Sequence, residues 1–130
     1  SSQIHIRRLD GSRDIALTNN LWANLNPAWS PDGKQIAFLS EMDGTYGRYS
    51  LIVMNLDGKN IRRLLDNRAS LDASTRLTWS PDGNYLAYNT ATPEDQISII
   101  DTETGRVRDL LNMAGSPKAG YVAGPPAGQP

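Results

Sequence analysis

The chain has 130 residues, of which 38% are hydrophobic and 21% charged, and it has no cysteine; this globular composition excludes a disordered chain, disulfide bonds and thiolate zinc sites. Thirteen Lys and Arg residues against fourteen Asp and Glu residues give a net charge of −1, so no basic field attracts nucleic acid or an anionic membrane. The sequence has no apolar run long enough to span a bilayer and starts without a recognisable signal peptide, so we expect no membrane insertion.

Internal repetition organises the whole sequence. Residues 77–88 repeat the pattern of residues 27–38, and both segments contain the string Trp-Ser-Pro-Asp-Gly. A second unit occurs three times, and it consists of an apolar segment, a turn ending in glycine and a segment ending in leucine. Repeats of about 45 to 50 residues are typical of propellers and arrays.

In chain order, the repeat predicts two strands, c and d, of a partial unit in residues 1–20, and a complete unit in residues 27–67. A second complete unit follows in residues 77–112. Residues 113–124 contain a degenerate version of strands a and b, because Ser116–Ala123 follows the pattern of Ser80–Ala87 without its Asp-Gly turn. Residues 125–130 are rich in Gly and Pro, and we expect a disordered tail or a linker there.

The apolar segments are predicted to be β-strands rather than helices. They are short and rich in Ile, Val, Leu, Tyr and Phe, and Gly or Pro separates them. In residues 36–39 and 51–54 the alternate positions are apolar on both sides of the strand. An antiparallel sheet with two apolar faces has to lie between two others. The sequence therefore predicts an all-β protein of stacked four-stranded meanders, which is a β-propeller.

Six residues at equivalent positions of the two complete units are expected to be structural. In the Ser-Pro-Asp-Gly turns, Pro presets φ and Gly accepts the left-handed conformation that closes a hairpin. The two tryptophans occupy the same repeat position, and we expect both to be buried against the next unit. The six residues are Trp29, Asp32, Gly33, Trp79, Asp82 and Gly83.

The segment Pro27–Phe38, followed by Leu51–Gly58 and Arg62-Arg63-Leu64, resembles the WD-repeat-like blade of the TolB-type propellers. The resemblance covers residues 3–111. It implies a six-bladed ring and a non-catalytic scaffold for protein or ligand binding, found in periplasmic TolB, in prolyl oligopeptidase-like and tricorn-like peptidases and in sensor regions of bacterial kinases. Because one blade type serves several functions, the resemblance does not fix the function.

The chain supplies strands for about three blades, two complete and one split, and this leaves two hypotheses for assembly. Two chains could form a homodimer that closes one six-bladed ring, each lending strands to the other. Alternatively, the chain is an excised piece of a longer propeller whose other blades are absent. As a function, a structural or engineered propeller fragment that assembles by oligomerisation also fits the pattern.

We predict no catalytic, cofactor or metal site. His5 is the only histidine, so a Ser-His-Asp triad cannot be completed within the chain. The serines before proline and the aspartates before glycine are explained by their turns, and no segment matches a calcium-binding loop. The protein is therefore predicted not to be an enzyme.

Binding residues are expected on the rim where the repeats differ. The a–b and c–d turns lie on one rim and are regular, whereas the b–c and d–a loops lie on the other rim and vary in length. Loops on a rigid scaffold are the usual location of binding, and Trp, Tyr and Arg are the usual anchors. The candidates are Trp22, Tyr46, Arg48 and Arg68; the alternative is that these loops are merely solvated, with Trp22 packed under a blade.

Two functional interpretations follow from the resemblance. The first is a binding module for another protein in the periplasm or another extracytoplasmic compartment. The second is the accessory propeller of a prolyl oligopeptidase-like or tricorn-like peptidase, in which the ring positions substrates for a separate hydrolase domain.

Overall fold

The structure is a computed structural model that describes residues 1–90 and 96–112, and this part of the chain folds into β-strands joined by turns. None of its segments is a helix long and apolar enough to cross a membrane. The strands are β1 (His5–Arg7), β2 (Asp14–Ala16), β3 (Asn24–Trp29), β4 (Gln35–Ser40), β5 (Ser50–Asn55), β6 (Arg62–Leu65), β7 (Leu77–Trp79), β8 (Tyr85–Thr90), β9 (Gln96–Asp101) and β10 (Val107–Asn112).

The strands form three antiparallel sheets in which neighbours in sequence are neighbours in space. The first sheet is β1–β2, the middle sheet is β3–β4–β5–β6 and the third sheet is β7–β8–β9–β10. The all-β fold and the four-stranded meanders predicted from the sequence are confirmed. The first strand of the middle sheet begins at Asn24, three residues before the predicted start at residue 27. The predicted strands in residues 113–124 and the predicted tail in residues 125–130 lie outside the described residues.

The middle sheet is buried on both faces, as its sequence pattern predicts. One face carries Ile36, Phe38, Ile52 and Met54, which form a cluster with Ile4, the residue that directly precedes β1. The opposite face forms a second cluster with the third sheet, and this cluster contains Ala37, Leu39, Leu51, Val53, Leu86, Tyr88 and Ile100. Because a fully buried aliphatic side chain contributes about 1.5 to 3 kcal/mol, the two clusters hold the three sheets in a stack.

The two repeated tryptophans differ in their surroundings, which corrects the prediction that both are buried. The Trp79 side chain packs against the cluster between the middle and third sheets, and its Nε1 donates a hydrogen bond of 3.0 Å to the carbonyl of Ala28. It therefore contacts the preceding sheet, whereas the sequence predicted a contact with the next one. Trp29 is 52% exposed, because the described residues contain no preceding inner strand for its ring to contact.

The two Ser-Pro-Asp-Gly turns have the geometry that their sequence predicts. The φ angle is 73° at Gly33 and 75° at Gly83, the left-handed region that glycine adopts without strain. The turns of successive sheets also approach each other, since a Cβ atom at Gly83 would lie 3.8 Å from Cδ of Pro31. These turns therefore form a regular rim along one end of the stack.

Candidate functional site

The loops at the other end of the stack form a second rim, which we call the loop rim. It consists of residues 17–23, 41–49 and 66–76, which join the strands on the side opposite the Ser-Pro-Asp-Gly turns. Backbone bonds connect these loops to their neighbours, for example from the amide of Glu41 to the carbonyl of Ala23 at 3.0 Å. Residues 91–95, which the sequence also assigns to this rim, lie outside the described residues.

Four large side chains with apolar surface are exposed on the loop rim, and we call them the apolar rim patch. Tyr46 is 94% exposed and Leu21 88%, while Trp22 and Met42 are each 38% exposed. Burying exposed apolar side chains against a partner is favourable, and interaction sites are typically marked by apolar side chains that are exposed close together. Sequence reasoning found Trp22 and Tyr46 but missed Leu21 and Met42, although both lie in the variable loops.

Trp22 joins two of the loops and borders a cleft. Its ring lies beside the turn at Gly44, where a Cβ atom would be 3.8 Å from the indole. The cleft has a volume of about 230 Å³, and Trp22 and Met42 line its mouth above the side chains of Phe38 and Ile52. Trp22 is thus only partly packed under the sheets, and part of its ring faces solvent.

The two predicted arginines stand apart from this patch. The guanidinium of Arg68 is exposed and donates to the carboxylate of Asp66 in the same loop, with 2.8 Å between Nη2 and Oδ2. This hydrogen bond lowers the pKa of Asp66 and raises that of Arg68. Arg48 is exposed, and its backbone amide donates to the carbonyl of Thr45. Within the described residues, no hydrogen bond or ion pair joins either arginine to Trp22.

Polar contacts hold residues 41–49 in place. Glu41 accepts a hydrogen bond from the amide of Gly47 at 2.6 Å, and Asp43 accepts one from the hydroxyl of Ser50 at 2.7 Å. Asp43 also pairs with Arg63 of β6. Burial and the nearby Glu41 carboxylate raise the pKa of Tyr49 at the end of this loop. The loop that presents Met42 and Tyr46 is therefore anchored at several points.

Two asparagines that sequence reasoning missed position the flanking loops. Asn24 is fully buried, and its side-chain amide donates to the Oδ1 of Asn20 at 2.9 Å and to the carbonyl of Trp22 at 3.0 Å. Asn26 has a φ of 55°, and its amide donates to the carbonyls of Ala73 and Thr75, both at 2.9 Å. The sequence signal was Asn beside a strand start, which is common at turns and irregular strands.

The described residues contain no group of three His, Cys, Asp or Glu side chains that could hold a metal ion. His5 is exposed on β1, and its Nδ1 lies 3.0 Å from Oδ1 of Asp14. The same carboxylate accepts a hydrogen bond from Arg7 at 3.0 Å. Both bonds lower the pKa of Asp14, the one from Arg7 more strongly. This cluster is explained as a cross-strand contact that aligns β1 with β2.

Comparison with known proteins identifies the family. A family model described as the TolB β-propeller domain matches residues 1–123. The chain belongs to the TolB β-propeller family. Among curated relatives, the uncharacterized peptidase YuxL of Bacillus subtilis is 32% identical over 103 residues, covering 79% of this chain. The Tol-Pal system protein TolB of Alcanivorax borkumensis is 36% identical over 85 residues, covering 65% of this chain.

Solved structures show the same TolB-type fold. TolB from Acinetobacter baumannii superposes with a TM-score of 0.71 and 21% identity, over 84% of this chain and 26% of that one. An oligogalacturonate lyase in complex with manganese superposes with a TM-score of 0.66 and 15% identity, over 85% of this chain and 29% of that one. The chain spans only 15% of YuxL and 18% of the A. borkumensis TolB. Its relatives include both a Tol-Pal system protein and peptidases.

Proposed function

We propose that this chain is a non-catalytic propeller segment that binds a protein partner through its loop rim. The observation that carries the proposal is the apolar rim patch of Leu21, Trp22, Met42 and Tyr46, which is presented by loops anchored on a rigid stack of sheets. Exposed Trp, Tyr and Met are the side chains that protein interfaces enrich. Membership of the TolB family supports a scaffold role.

A protein partner fits this surface better than a small molecule does. The cleft beside Trp22 has about 230 Å³, whereas small-molecule sites commonly have about 300 to 1,000 Å³ and enclose most of their ligand. Tyr46 and Leu21 project into solvent and not into the cleft. A surface of this shape gains most from a partner that covers it with a face of its own.

The competing function is that of an accessory propeller in a peptidase. The peptidase YuxL among the relatives favours it, and YuxL is much longer than the part that this chain matches. In that case the loop rim would face a hydrolase domain of the same protein, and the apolar rim patch would form a contact between domains. We also propose an extracytoplasmic location and a six-bladed ring, both of which the resemblance to TolB implies.

Site-specific photo-crosslinking tests the proposal. A benzoylphenylalanine in place of Tyr46 is expected to yield protein adducts in cells that carry the chain. The same group in place of Leu9, which is fully exposed on the regular rim, is expected to yield none. Once the crosslinked partner is purified, Trp22→Ala should weaken binding about 30-fold or more, the effect of losing a central aromatic anchor.

Three outcomes count against this function. Equal adduct yields at residues 9 and 46 would mean that the partner does not prefer the loop rim. Unchanged affinity for the partner in Trp22→Ala and Met42→Ala would mean that these two side chains do not anchor it. Hydrolysis of peptide substrates by the purified chain would show that the segment is catalytic. An adduct with a hydrolase domain of the same polypeptide would instead support the accessory-propeller function.

A further inference from the structure

One row of three side chains across the third sheet is polar although two of them are buried, and we call it the polar row. The register places Tyr88 of β8 opposite Ser98 of β9, and Ser98 opposite Asp109 of β10. Tyr88 is 5% exposed and Ser98 is 1% exposed, and the Ser98 hydroxyl donates a hydrogen bond of 2.7 Å to Oδ1 of Asp109. Burial raises the pKa of Tyr88 to about 12. Its hydroxyl is therefore neutral at neutral pH, and the charge of the polar row is the carboxylate of Asp109.

The same row of the middle sheet is apolar at its two buried positions and ends in an ion pair. Its members are Phe38, Ile52 and Arg63. Phe38 and Ile52 belong to the cluster on that face, and Arg63 pairs with the carboxylate of Asp43. The blade therefore forms with apolar side chains at both buried positions, and hydroxyls in their place cost stability unless they are hydrogen-bonded. Such departures from the pattern of the fold are expected at functional sites.

The polar row lies in a cleft between the middle and third sheets. The cleft has a volume of about 360 Å³, and its lining also includes Gln96 of β9 and residues 68–70 of the loop rim. This volume is within the range of about 300 to 1,000 Å³ that is usual for ligand sites. The cleft lies between two four-stranded sheets, so it is not part of the outer face of the first or the third sheet.

The carboxylate in this cleft has no cationic partner in the described part of the chain. Asp109 is half-buried and accepts the hydrogen bond from Ser98, but none of the ion pairs in residues 1–90 and 96–112 includes it. Arg68, which borders the same cleft, pairs with Asp66, and this pairing offsets its charge. A carboxylate that is partly withdrawn from water is stabilised by a cation. The cleft is therefore complementary to a positively charged group.

We infer that this cleft binds a basic side chain, a lysine or an arginine presented by a partner protein. The carboxylate of Asp109, the hydroxyl oxygen of Tyr88 and the side-chain carbonyl of Gln96 can each accept a hydrogen bond, and lysine and arginine have several donors and no acceptor. Hydrogen bonds from such a cation to a carboxylate are stronger than those between neutral groups. The inference goes beyond the apolar rim patch, because Trp22 and Tyr46 do not line this cleft.

Titration of the isotope-labelled full chain with short peptides, followed by two-dimensional NMR, tests the inference. The probe is the acetylated and amidated tripeptide glycyl-arginyl-glycine, and the same peptide with lysine in place of arginine compares the two cations. We expect both to shift the amide resonances of Ser98 and Asp109 in a saturable way. A third peptide carries citrulline, which has the shape of arginine without its charge. Its dissociation constant should be about tenfold higher or more, the usual effect of losing a charged hydrogen bond.

Substitution of the carboxylate separates recognition of charge from shape. Asp109→Asn keeps the size of the side chain and an oxygen that can accept from Ser98, but it removes the charge. The dissociation constant of the arginine peptide should rise about tenfold or more. Asp57→Asn is the matched control, because Asp57 is an exposed aspartate on the regular rim that also accepts one hydrogen bond, from the amide of Lys59. It should leave the constant unchanged.

Far-UV circular dichroism of each variant establishes that it is folded before its binding is interpreted. Equal dissociation constants for the arginine and citrulline peptides would mean that the cleft does not recognise charge, and would overturn the inference. An unchanged constant in Asp109→Asn, or the absence of saturable shifts at Ser98 and Asp109, would overturn it as well. None of these results bears on the apolar rim patch, whose tests use the crosslinked partner.

Discussion

A tryptophan at the edge of a core has two requirements, which are packing for its ring and a hydrogen-bond acceptor for its indole N–H. Trp79 meets both. Its ring packs against the cluster between the middle and third sheets, and its N–H finds an acceptor at the carbonyl of Ala28. An indole N–H without such an acceptor would lose the hydrogen bond it makes with water. Trp29 satisfies neither requirement within the described part of one chain. Identical residues in identical repeat positions therefore differ in their contribution to the stability of a single copy.

This difference predicts unequal effects of substitution. Trp79→Ala should lower the free energy of unfolding by about 3 kcal/mol, the lower end of the usual range for a packed tryptophan. Trp79→Phe keeps most of the packing and should cost about 1 kcal/mol for the lost hydrogen bond. Trp29→Ala should cost less than about 1 kcal/mol in a single copy, because the side chain is mostly exposed.

Urea unfolding followed by far-UV circular dichroism measures these differences. The protein is kept at a concentration where its mass is that of one chain, so that association does not contribute. Equal losses in Trp79→Ala and Trp29→Ala under these conditions would contradict the assignment of Trp79 as the packed member of the pair.

Among the elements, the Ser-Pro-Asp-Gly turns are small hydrogen-bonded units that recur unchanged. In the first turn, Asp32 Oδ1 accepts from the hydroxyl of Ser30 at 2.7 Å and from the amide of Lys34 at 3.0 Å, and the Ser30 hydroxyl oxygen accepts from the amide of Gln35 at 3.0 Å. The second turn has the same bonds around Asp82. These bonds keep the pKa of Asp32 and of Asp82 below the ordinary value, with the serine hydroxyl as the largest cause.

The lowered pKa values predict a loss of stability in acid. Because the folded carboxylates hold protons more weakly than those of the unfolded chain, their contribution is present above the unfolded pKa of about 3.9 and is lost as the pH falls through the lower folded pKa. The urea midpoint should therefore fall as the pH is lowered from about 5 to about 3. A double variant, Ser30→Ala with Ser80→Ala, removes the main cause, so its midpoint should depend less on pH. Parallel pH profiles for the two proteins would contradict this explanation.

Much of this element-level structure could be predicted from the sequence because it is local. The strands follow from alternating apolar residues, and the turns follow from Pro, Asp and Gly at fixed positions. The start of β3 at Asn24 and the irregularity at Asn26 could not be predicted, because they depend on partners such as Ser2 and Thr75 that are distant in sequence. The exposure of Trp29 was missed for the same reason, since the repeat pattern does not say which neighbour is present.

The candidate site, too, could be predicted only in part from the sequence. Variable loop length pointed to the loop rim, and composition pointed to Trp22 and Tyr46. The pairing of Arg68 with Asp66, and the exposure of Met42 and Leu21, depend on how each loop folds back on itself. Loop conformations of this kind carry no periodic signal in the sequence.

At the scale of the molecule, the middle sheet links the two halves of the stack. It supplies one side of both hydrophobic clusters, so neither cluster can be lost without exposing one of its faces. In repeat proteins the stability is close to a sum of the terms for each repeat and for the interfaces between neighbours. Because the stack has only three sheets and the middle sheet belongs to both interfaces, loss of one interface should destabilise the other as well.

We therefore expect the stack to unfold cooperatively. Ile4→Ala removes a side chain from the cluster with the first sheet, and Leu86→Ala removes one from the cluster with the third sheet. Each should cost about 2 to 5 kcal/mol, and each should shift one shared transition in urea, seen at the same midpoint by tryptophan fluorescence and by circular dichroism. Leu9→Ala at a fully exposed position is the control, with an expected change below about 0.5 kcal/mol. If Ile4→Ala instead produced a second, earlier transition while the signal of the third sheet kept its midpoint, the first sheet would be an independent unit and the stack would not unfold as one body.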